Sequence, residues 1–447
     1  MAGLLESSAL AIIVGSILFF ATKKRHTDLS IRDGYLVVTG AWLSLAFFGA
    51  FPYYLTGAIP SFTDAFFESM SGFTTTGSTI LTDIEIMPKS LLFWRSFSQW
   101  IGGMGIIVLS IAILPLLRIG GMQLFKAEVP GPTTDKLTPR ISQTAKLLWL
   151  VYFGITIAEI LLLWVGPMNL FDAVCHGFTT MATGGFSTKN ASIGGYNSAY
   201  VEYVVTFFML VAGINFTLHY YALTGKISNY WKDNESRTYL MTILVFTIII
   251  MFSNFVAHHY DSVADAFRYA VFQVVSIITT TGYGSADYET WTPLAQKLLL
   301  ILMFIGGSAG STGGGMKVIR IIVVIKQGFI ELRKILHPNA VLQLRIGKKV
   351  VHKDIVSAVM GFFILYMALF TLISISLSFF HIDMMTAISA SATCLSNVGP
   401  GFGLIGPTEN FAFMPAVAKW ILSLAMILGR LEIYTILVIF TKHFWKV

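Results

Sequence analysis

Four times along this chain an apolar stretch gives way to a short segment that opens near an aspartate and closes on glycine, and each time the chain then turns apolar again. The closing stretches read Thr74-Thr75-Thr76-Gly77-Ser78, Thr179-Thr180-Met181-Ala182-Thr183-Gly184-Gly185, Thr279-Thr280-Thr281-Gly282-Tyr283-Gly284 and Ser396-Asn397-Val398-Gly399-Pro400-Gly401. A fourfold internal repeat means that one polypeptide builds a pseudo-fourfold object. Thr/Gly-rich turns at membrane depth are how a backbone-carbonyl ion filter is made. A lone Thr-Thr-Thr-Gly is only a turn, but four at corresponding positions read as a cation pore.

At 447 residues, 55% apolar and 12% charged, the chain is too uncharged for a soluble core of this size. Several apolar stretches reach the roughly 18–20 residues needed to cross a bilayer. The first resembles a signal-peptide core, but Lys23-Lys24-Arg25 follows it where a small-residue cleavage site would stand, so it reads as a helix near residues 8–22. Four pairs of spans follow. Their first members lie near 35–54, 145–165, 239–257 and 355–379, and their second near 91–117, 200–223, 293–325 and 415–440. Between the members of each pair sits a half-polar stretch too short to cross twice, starting at Asp64, Asp172, Asp265 or Asp383. These are re-entrant helices.

The expected fold is an all-α polytopic membrane protein: four pseudo-repeats of helix, re-entrant pore helix and helix around one central pore, with an extra N-terminal helix. The segments are 1–33 for that helix and its junction, 34–118, 119–225 and 226–334 for the first three repeats, and 335–447 for the fourth. Cys175 and Cys394 fall inside the second and fourth repeats as small packing groups, and two cysteines make no disulfide framework.

Most of the 30 lysines and arginines sit in the junctions between pairs, including Lys23, Lys24, Arg25, Arg118, Lys126, Lys136, Arg140, Lys226, Lys326, Arg333 and Lys348. By the positive-inside rule the junctions are cytoplasmic and the re-entrant helices dip in from outside. The net charge of +7 is thus a topology signal and gives no support for nucleic-acid binding. Asp64, Glu68, Asp83, Glu85, Asp172, Glu202, Asp261, Asp265, Asp287, Glu289, Asp383 and Glu409 fall on the outer side. Singly they read as caps and solvated loops; together they would concentrate cations at a mouth.

A dehydrated monovalent cation needs several oxygens at once, and carbonyls turn inward only where backbone leaves regular geometry, which glycine permits. Re-entrant helices would also aim about half a negative charge each at the ion. With no acidic side chain in the filter stretches, the site suits a large monovalent ion better than Ca²⁺. In the third pair, Gly306-Gly307-Ser308-Ala309-Gly310-Ser311-Thr312-Gly313-Gly314-Gly315 interrupts an apolar stretch whose halves cannot each span. It reads as a broken helix whose irregular backbone lies inside the protein beneath the filter, a flexible obstruction on the path. Met316 and Lys317 follow it, so the Gly-Lys-Ser/Thr ending of a phosphate cradle is absent. Arg430 lies roughly mid-span in the last helix, at a cost on the order of 2.5–3.5 kcal/mol unless it faces water or a partner. It either lines the pore or forms a buried pair with Glu432 or Glu159. An enzyme reading fails, since no His-Glu-x-x-His occurs and His176, His219 and His381 share no spacing.

The four filter stretches, the Gly-Gly-Ser-Ala-Gly-Ser-Thr-Gly-Gly-Gly-Met-Lys run and the segment from Pro130-Gly131-Pro132 to Asp135-Lys136-Leu137-Thr138-Pro139-Arg140 resemble the Trk/Ktr/HKT superfamily of potassium transporters, Trk-type membrane subunits in particular. The resemblance covers nearly the whole chain. It implies a non-enzymatic, K⁺-conducting subunit in a bacterial inner membrane. By that likeness Thr75, Thr76 and Gly77, Ala182, Thr183 and Gly184, Thr280, Thr281 and Gly282, and Asn397, Val398 and Gly399 form the K⁺ filter. Gly306, Gly307, Gly310, Gly313, Gly314, Gly315, Lys317 and Arg430 form the gate. It also implies a homodimer, no cofactor on this chain apart from K⁺, and a nucleotide bound by a separate cytoplasmic TrkA-like regulatory ring. Gly77, where some relatives carry Ser, implies K⁺ preference; a Na⁺-coupled or Na⁺-conducting transporter is the alternative. Family members carry two helices ahead of the first repeat, where this sequence shows one.

Overall fold

The computed structural model describes residues 2–22, 30–108, 141–347 and 349–446. Lys23, Lys24, Arg25, Arg118, Lys126, Lys136, Arg140 and Lys348, and the stretch 130–140, lie outside them. Helix α1 (Ala2–Thr22) precedes the first repeat, which is α2 (Ile31–Leu55), pore helix α3 (Phe62–Phe73) and α4 (Lys89–Val108). The second is α5 (Ile141–Val165), pore helix α6 (Leu170–Met181), α7 (Ala199–Ala212) and α8 (Phe216–Leu223). The third is α9 (Asn234–Val256), pore helix α10 (Val263–Ile278), α11 (Pro293–Leu302) and α12 (Val318–Leu336). The fourth is α13 (Lys353–Ser378), pore helix α14 (Met384–Ser396), α15 (Ala416–Arg430) and α16 (Tyr434–Leu437). A two-stranded antiparallel ribbon, β1 (Arg345–Ile346) with β2 (Lys349–Val350), joins α12 to α13.

Spans within α1, α2, α5, α9 and α13 are long and apolar enough to cross a bilayer. Exposed apolar side chains along them, such as Ile13, Leu161, Ile248 and Ile364, stand where acyl chains would cover them. Each pore helix starts with a side-chain cap, but not where the aspartates alone suggested. Ser61, Asn169 and Ser262 are the caps of α3, α6 and α10, receiving the backbone N–H of Asp64, Asp172 and Asp265 at 3.4, 2.9 and 3.0 Å. Only Asp383 caps directly, receiving Thr386 N–H at 3.0 Å. The three other carboxylates sit in the first turn, where the helix dipole favours negative charge.

Two spans expected as continuous are broken. α7 and α8 bend by 102°, and α15 and the segment after it by 109°. At the first break Asn215 turns its side chain back to cap Thr217 N–H at 2.8 Å; at the second, Glu432 and Ile433 take φ of 59° and 48°. Arg430 therefore ends a helix at a break and is not mid-span. The third interruption, after α11, is the expected one, although α12 continues to Leu336.

The first helix of each repeat packs on its own pore helix, and second helices cross over: α4 lies on α6, α7 on α10 and α15 on α3. Repeats one and four share one apolar core, with Phe67, Met70, Leu395 and Met426, and repeats two and three another, with Met209, Phe272, Ile277 and Leu299. The interlocking brings four pore-helix C-termini to one place.

Candidate ion pathway

Each pore helix ends the same way. Thr75, Thr183, Thr280 and Asn397 take left-handed φ of 52°, 52°, 60° and 58°. The next N–H, of Thr76, Gly184, Thr281 and Val398, returns to the carbonyl of Ser71, Thr179, Ser276 and Thr393 at 2.9, 2.8, 2.8 and 2.9 Å. This is a Schellman-type cap, which satisfies late helix carbonyls and turns the chain sharply off the axis. Left-handed geometry is a genuine outlier for β-branched threonine, so three repeats hold strain of order 1–3 kcal/mol at one point.

One residue further on, Gly77, Gly185, Gly282 and Gly399 have φ of +84°, +79°, +78° and +103°. A Cβ on Gly77 would strike the carbonyl oxygen of Gly184; on Gly185, that of Thr281; on Gly282, that of Val398. A Cβ on Gly399 would lie 2.7 Å from the carbonyl of Thr76. Each repeat thus presses a glycine on the next repeat's carbonyl, and the fourth returns to the first. The ring corrects the sequence register in the second repeat. Ala182 caps α6 as Thr74 and Thr279 cap theirs, so Thr183, Gly184 and Gly185 correspond to Thr75, Thr76 and Gly77. Gly185, not Gly184, is the equivalent glycine. Two adjacent glycines cannot be phased by sequence alone.

The residues after the glycines lean the opposite way, on the preceding repeat. Ser78 donates to Gly399 O at 3.2 Å, and the Phe186 ring lies 4.0 Å beneath the Arg95 guanidinium. The Tyr283 hydroxyl bonds the Thr179 hydroxyl and lies 3.4 Å from that of Thr180. In the fourth repeat it is Asn397, ahead of the glycine, that reaches out, its Nδ2 donating to Thr76 Oγ1 of the first repeat at 3.0 Å and to Met426 O at 2.8 Å. Behind the first repeat Glu68 is fully buried, accepting from Arg95 Nε at 2.8 Å, Thr79 Oγ1 at 2.9 Å and Ile80 N–H at 3.0 Å. Arg95 also donates to Ser187 O at 3.2 Å. Outside the ring, an open cavity is lined by Gly77, Gly185, Gly282, Pro400, Lys189 and Glu409.

On the inner side the 306–315 loop is packed within protein. Gly306 N–H meets Met316 O at 2.8 Å, closing the loop at its base. Gly314 N–H donates to Thr280 Oγ1 at 2.6 Å, and a Cβ on Gly313 would stand 3.1 Å from Thr279 O. A Cβ on Gly314 would strike Ser396 O, so the loop lies directly against the ends of α10 and α14. On its other flank Ser308 N–H bonds Gly213 O at 2.9 Å, and Gly310 O receives Phe216 N–H at 3.0 Å, so the α7–α8 break exists to carry this loop. Lys317 Nζ folds onto Gly313 O. Arg430 donates to Thr312 O at 2.8 Å and to Gly102 O at 3.1 Å, tying loop to α4. Neither carboxylate suggested by the sequence pairs with it: Glu432 bonds Arg320, and Glu159 is buried without an ion pair among the described residues. Arg430 instead takes one carbonyl from the irregular loop and one from inside α4.

Sequence reasoning missed Arg95, Gln99 and Glu235. Gln99 donates from Nε2 to Gly184 O at 2.6 Å and accepts Phe186 N–H at 3.1 Å. Glu235, near the start of α9, accepts Ala309 N–H at 2.9 Å and Ile319 N–H at 3.1 Å, pinning both limbs of the loop. The available signal was an isolated charge or amide inside an apolar stretch, which names a residue but not its partner.

Comparison with known proteins agrees over the whole length. The family model described as TrkH, cation transport protein, matches residues 3–446. The chain is 44% identical over 443 residues to the Trk system potassium uptake protein TrkH of Halomonas elongata, covering 98% of this chain and 91% of that one. It is 37% identical over 436 residues to the Trk system potassium uptake protein TrkG of Escherichia coli, covering 97% and 89%. The crystal structure of the potassium transporter TrkH from Vibrio parahaemolyticus matches with a TM-score of 0.91 at 39% identity, over 100% of this chain and 92% of that one. These relatives are named as transporters, a non-enzymatic role, and with the pseudo-fourfold multi-pass fold they settle the affiliation: the chain belongs to the TrkH family of cation transport proteins.

Proposed function

We propose that this chain takes up K⁺ through a selective, gated pore, as the ion-conducting membrane subunit of a Trk-type system. The observation that carries the reading is the closed ring in which Gly77, Gly185, Gly282 and Gly399 each abut a carbonyl of the next repeat. With no side chain at the four glycines, backbone oxygens come close enough to one another there to replace an ion's water. Four pore-helix ends add about half a negative charge each. The 306–315 loop, packed under α10 and α14 and held by Lys317, Arg430 and Glu235, acts as the gate. The buried loop lies against two helix breaks, an element suited to a second arrangement.

The relatives' names place them in a Trk system, which supports a partner in uptake; we infer that this partner is a separate nucleotide-binding ring docking on the cytoplasmic side of a homodimeric unit in the bacterial inner membrane. The test has two arms. The chain restores growth at low K⁺ to a bacterium lacking its own K⁺ uptake, and purified protein in bilayers gives reversal potentials that follow the K⁺ gradient. Gly77→Ser, whose Cβ presses on Gly184 O, weakens the preference for K⁺ over Na⁺. Reversal potentials that follow Na⁺ in the parent protein would replace K⁺ by Na⁺ as the transported ion.

A further inference from the structure

Gly184 is a glycine for a different reason from its neighbours in the ring. Gly77, Gly185, Gly282 and Gly399 need positive φ, whereas Gly184 does not adopt it. The corresponding positions carry Thr76, Thr281 and Val398, all β-branched, so backbone geometry there tolerates a side chain. What excludes one at 184 is Gln99. A Cβ on Gly184 would fall on the Gln99 carboxamide, 2.8 Å from Nε2 and closer still to its carbon and oxygen.

Gln99 comes from α4, in the first repeat, and is fully buried. Its amide brackets Gly185, donating to Gly184 O at 2.6 Å and accepting Phe186 N–H at 3.1 Å. One turn earlier on the same helix, Arg95 donates to Ser187 O at 3.2 Å and covers the Phe186 ring. Gly184, Phe186 and Ser187 of the second filter strand are thus held by two side chains of the neighbouring repeat. Among the described residues, Gly184 O is the one carbonyl of the four in the ring that accepts a side-chain hydrogen bond.

We infer that Gln99 is a specificity-determining positioning residue that supplies from the first repeat the side chain missing at Gly184, so that the Gly184-Gly185 strand holds the ring at the width that selects the ion. This rests on the ring being the filter. Two adjacent glycines have the largest backbone freedom in the ring, and a two-point amide clamp removes it. The position of Gly184 O, and with it one side of the ring, then depends on a side chain that no ion touches.

The experiment measures reversal potentials in K⁺/Na⁺ gradients for purified protein in bilayers, with monodispersity on size exclusion as the check of folding. Gln99→Met keeps the volume and loses both hydrogen bonds; it lowers the K⁺/Na⁺ permeability ratio by about threefold to tenfold, the scale of a buried hydrogen bond. Gly184→Thr alone collides with Gln99 and lowers the ratio as well. Gln99→Ala with Gly184→Thr exchanges four side-chain heavy atoms for three, gives the second repeat the residue found at Thr76 and Thr281, and regains selectivity over either single variant. A parent-like ratio in Gln99→Met, or a double variant no better than the worse single, overturns the assignment. Gly77→Ser is measured alongside: if it shifts the ratio while Gln99→Met does not, the clamp alone is wrong, and if it does not, the filter itself is misplaced.

Discussion

Arg95 and Glu68 illustrate how much of this pathway depends on residues that never meet an ion. Both are at most 1% exposed, and the carboxylate is satisfied by Arg95, Thr79 and Ile80 together. Removing one member of a buried, hydrogen-bonded pair leaves the other charge stranded, which costs about 3–5 kcal/mol. Arg95→Met should therefore destabilise the detergent-solubilised protein by about that amount, and adding Glu68→Gln should recover part of the loss because no full charge is then left unpaired. Denaturant unfolding followed by tryptophan fluorescence reads both. A double variant as unstable as the sum of the singles would mean that the two side chains act independently. The threonines at left-handed φ, Thr75, Thr183 and Thr280, make the complementary point: they persist because the surrounding structure over-determines them.

At the scale of elements, two helix breaks and one helix start converge on one loop. Gly213 at the α7–α8 break bonds Ser308, Arg430 at the end of α15 bonds Thr312, and Glu235 at the start of α9 bonds Ala309 and Ile319. Irregular backbone is tolerated at this depth because each freed polar group meets another across an element boundary. Deleting residues 308–312 removes the Gly213 and Arg430 contacts while leaving the base, Gly306 to Met316, in place. Resting cation flux into liposomes should rise, with K⁺ preference kept, because the ring contacts of Gly77, Gly185, Gly282 and Gly399 are untouched. Flux at the parent level in a folded deletion variant would make the loop structural.

Across the whole molecule, charge and repeat order together orient the chain. The cavity beyond the ring carries Glu409, while α12 extends past the apolar region with Arg333 and Lys334 near its end. A cysteine at Glu409 should react with a membrane-impermeant maleimide added outside intact cells, and one at Arg333 only after permeabilisation. The native Cys175 and Cys394 are both buried, so the background is low. The opposite pattern would invert the topology. The interlock of second helices with the following pore helix also explains why one polypeptide can differ from repeat to repeat. Three of the four ring positions are braced by side chains of a neighbouring repeat: Arg95 and Gln99 for the second repeat, Thr179 and Thr180 for the third, Thr76 for the fourth.

Sequence by itself determined the repeat number, the membrane class, the re-entrant helices and the buried glycine loop, because each is a local pattern: apolar length, capping residues, and glycine where backbone must be irregular. It could not decide the register at Gly184 and Gly185, since both are glycine and only the contact with Thr281 O distinguishes them. Nor could it find the breaks at Gly213, where Ser308 N–H from a loop distant in sequence takes the carbonyl, and at Glu432, where Arg430 donates to Thr312 O of that same loop. The partners of Arg430, Glu68 and Gln99 were hidden for the same reason. A buried polar group announces itself in sequence by its cost, but what satisfies it is set by which helix the tertiary structure lays beside it.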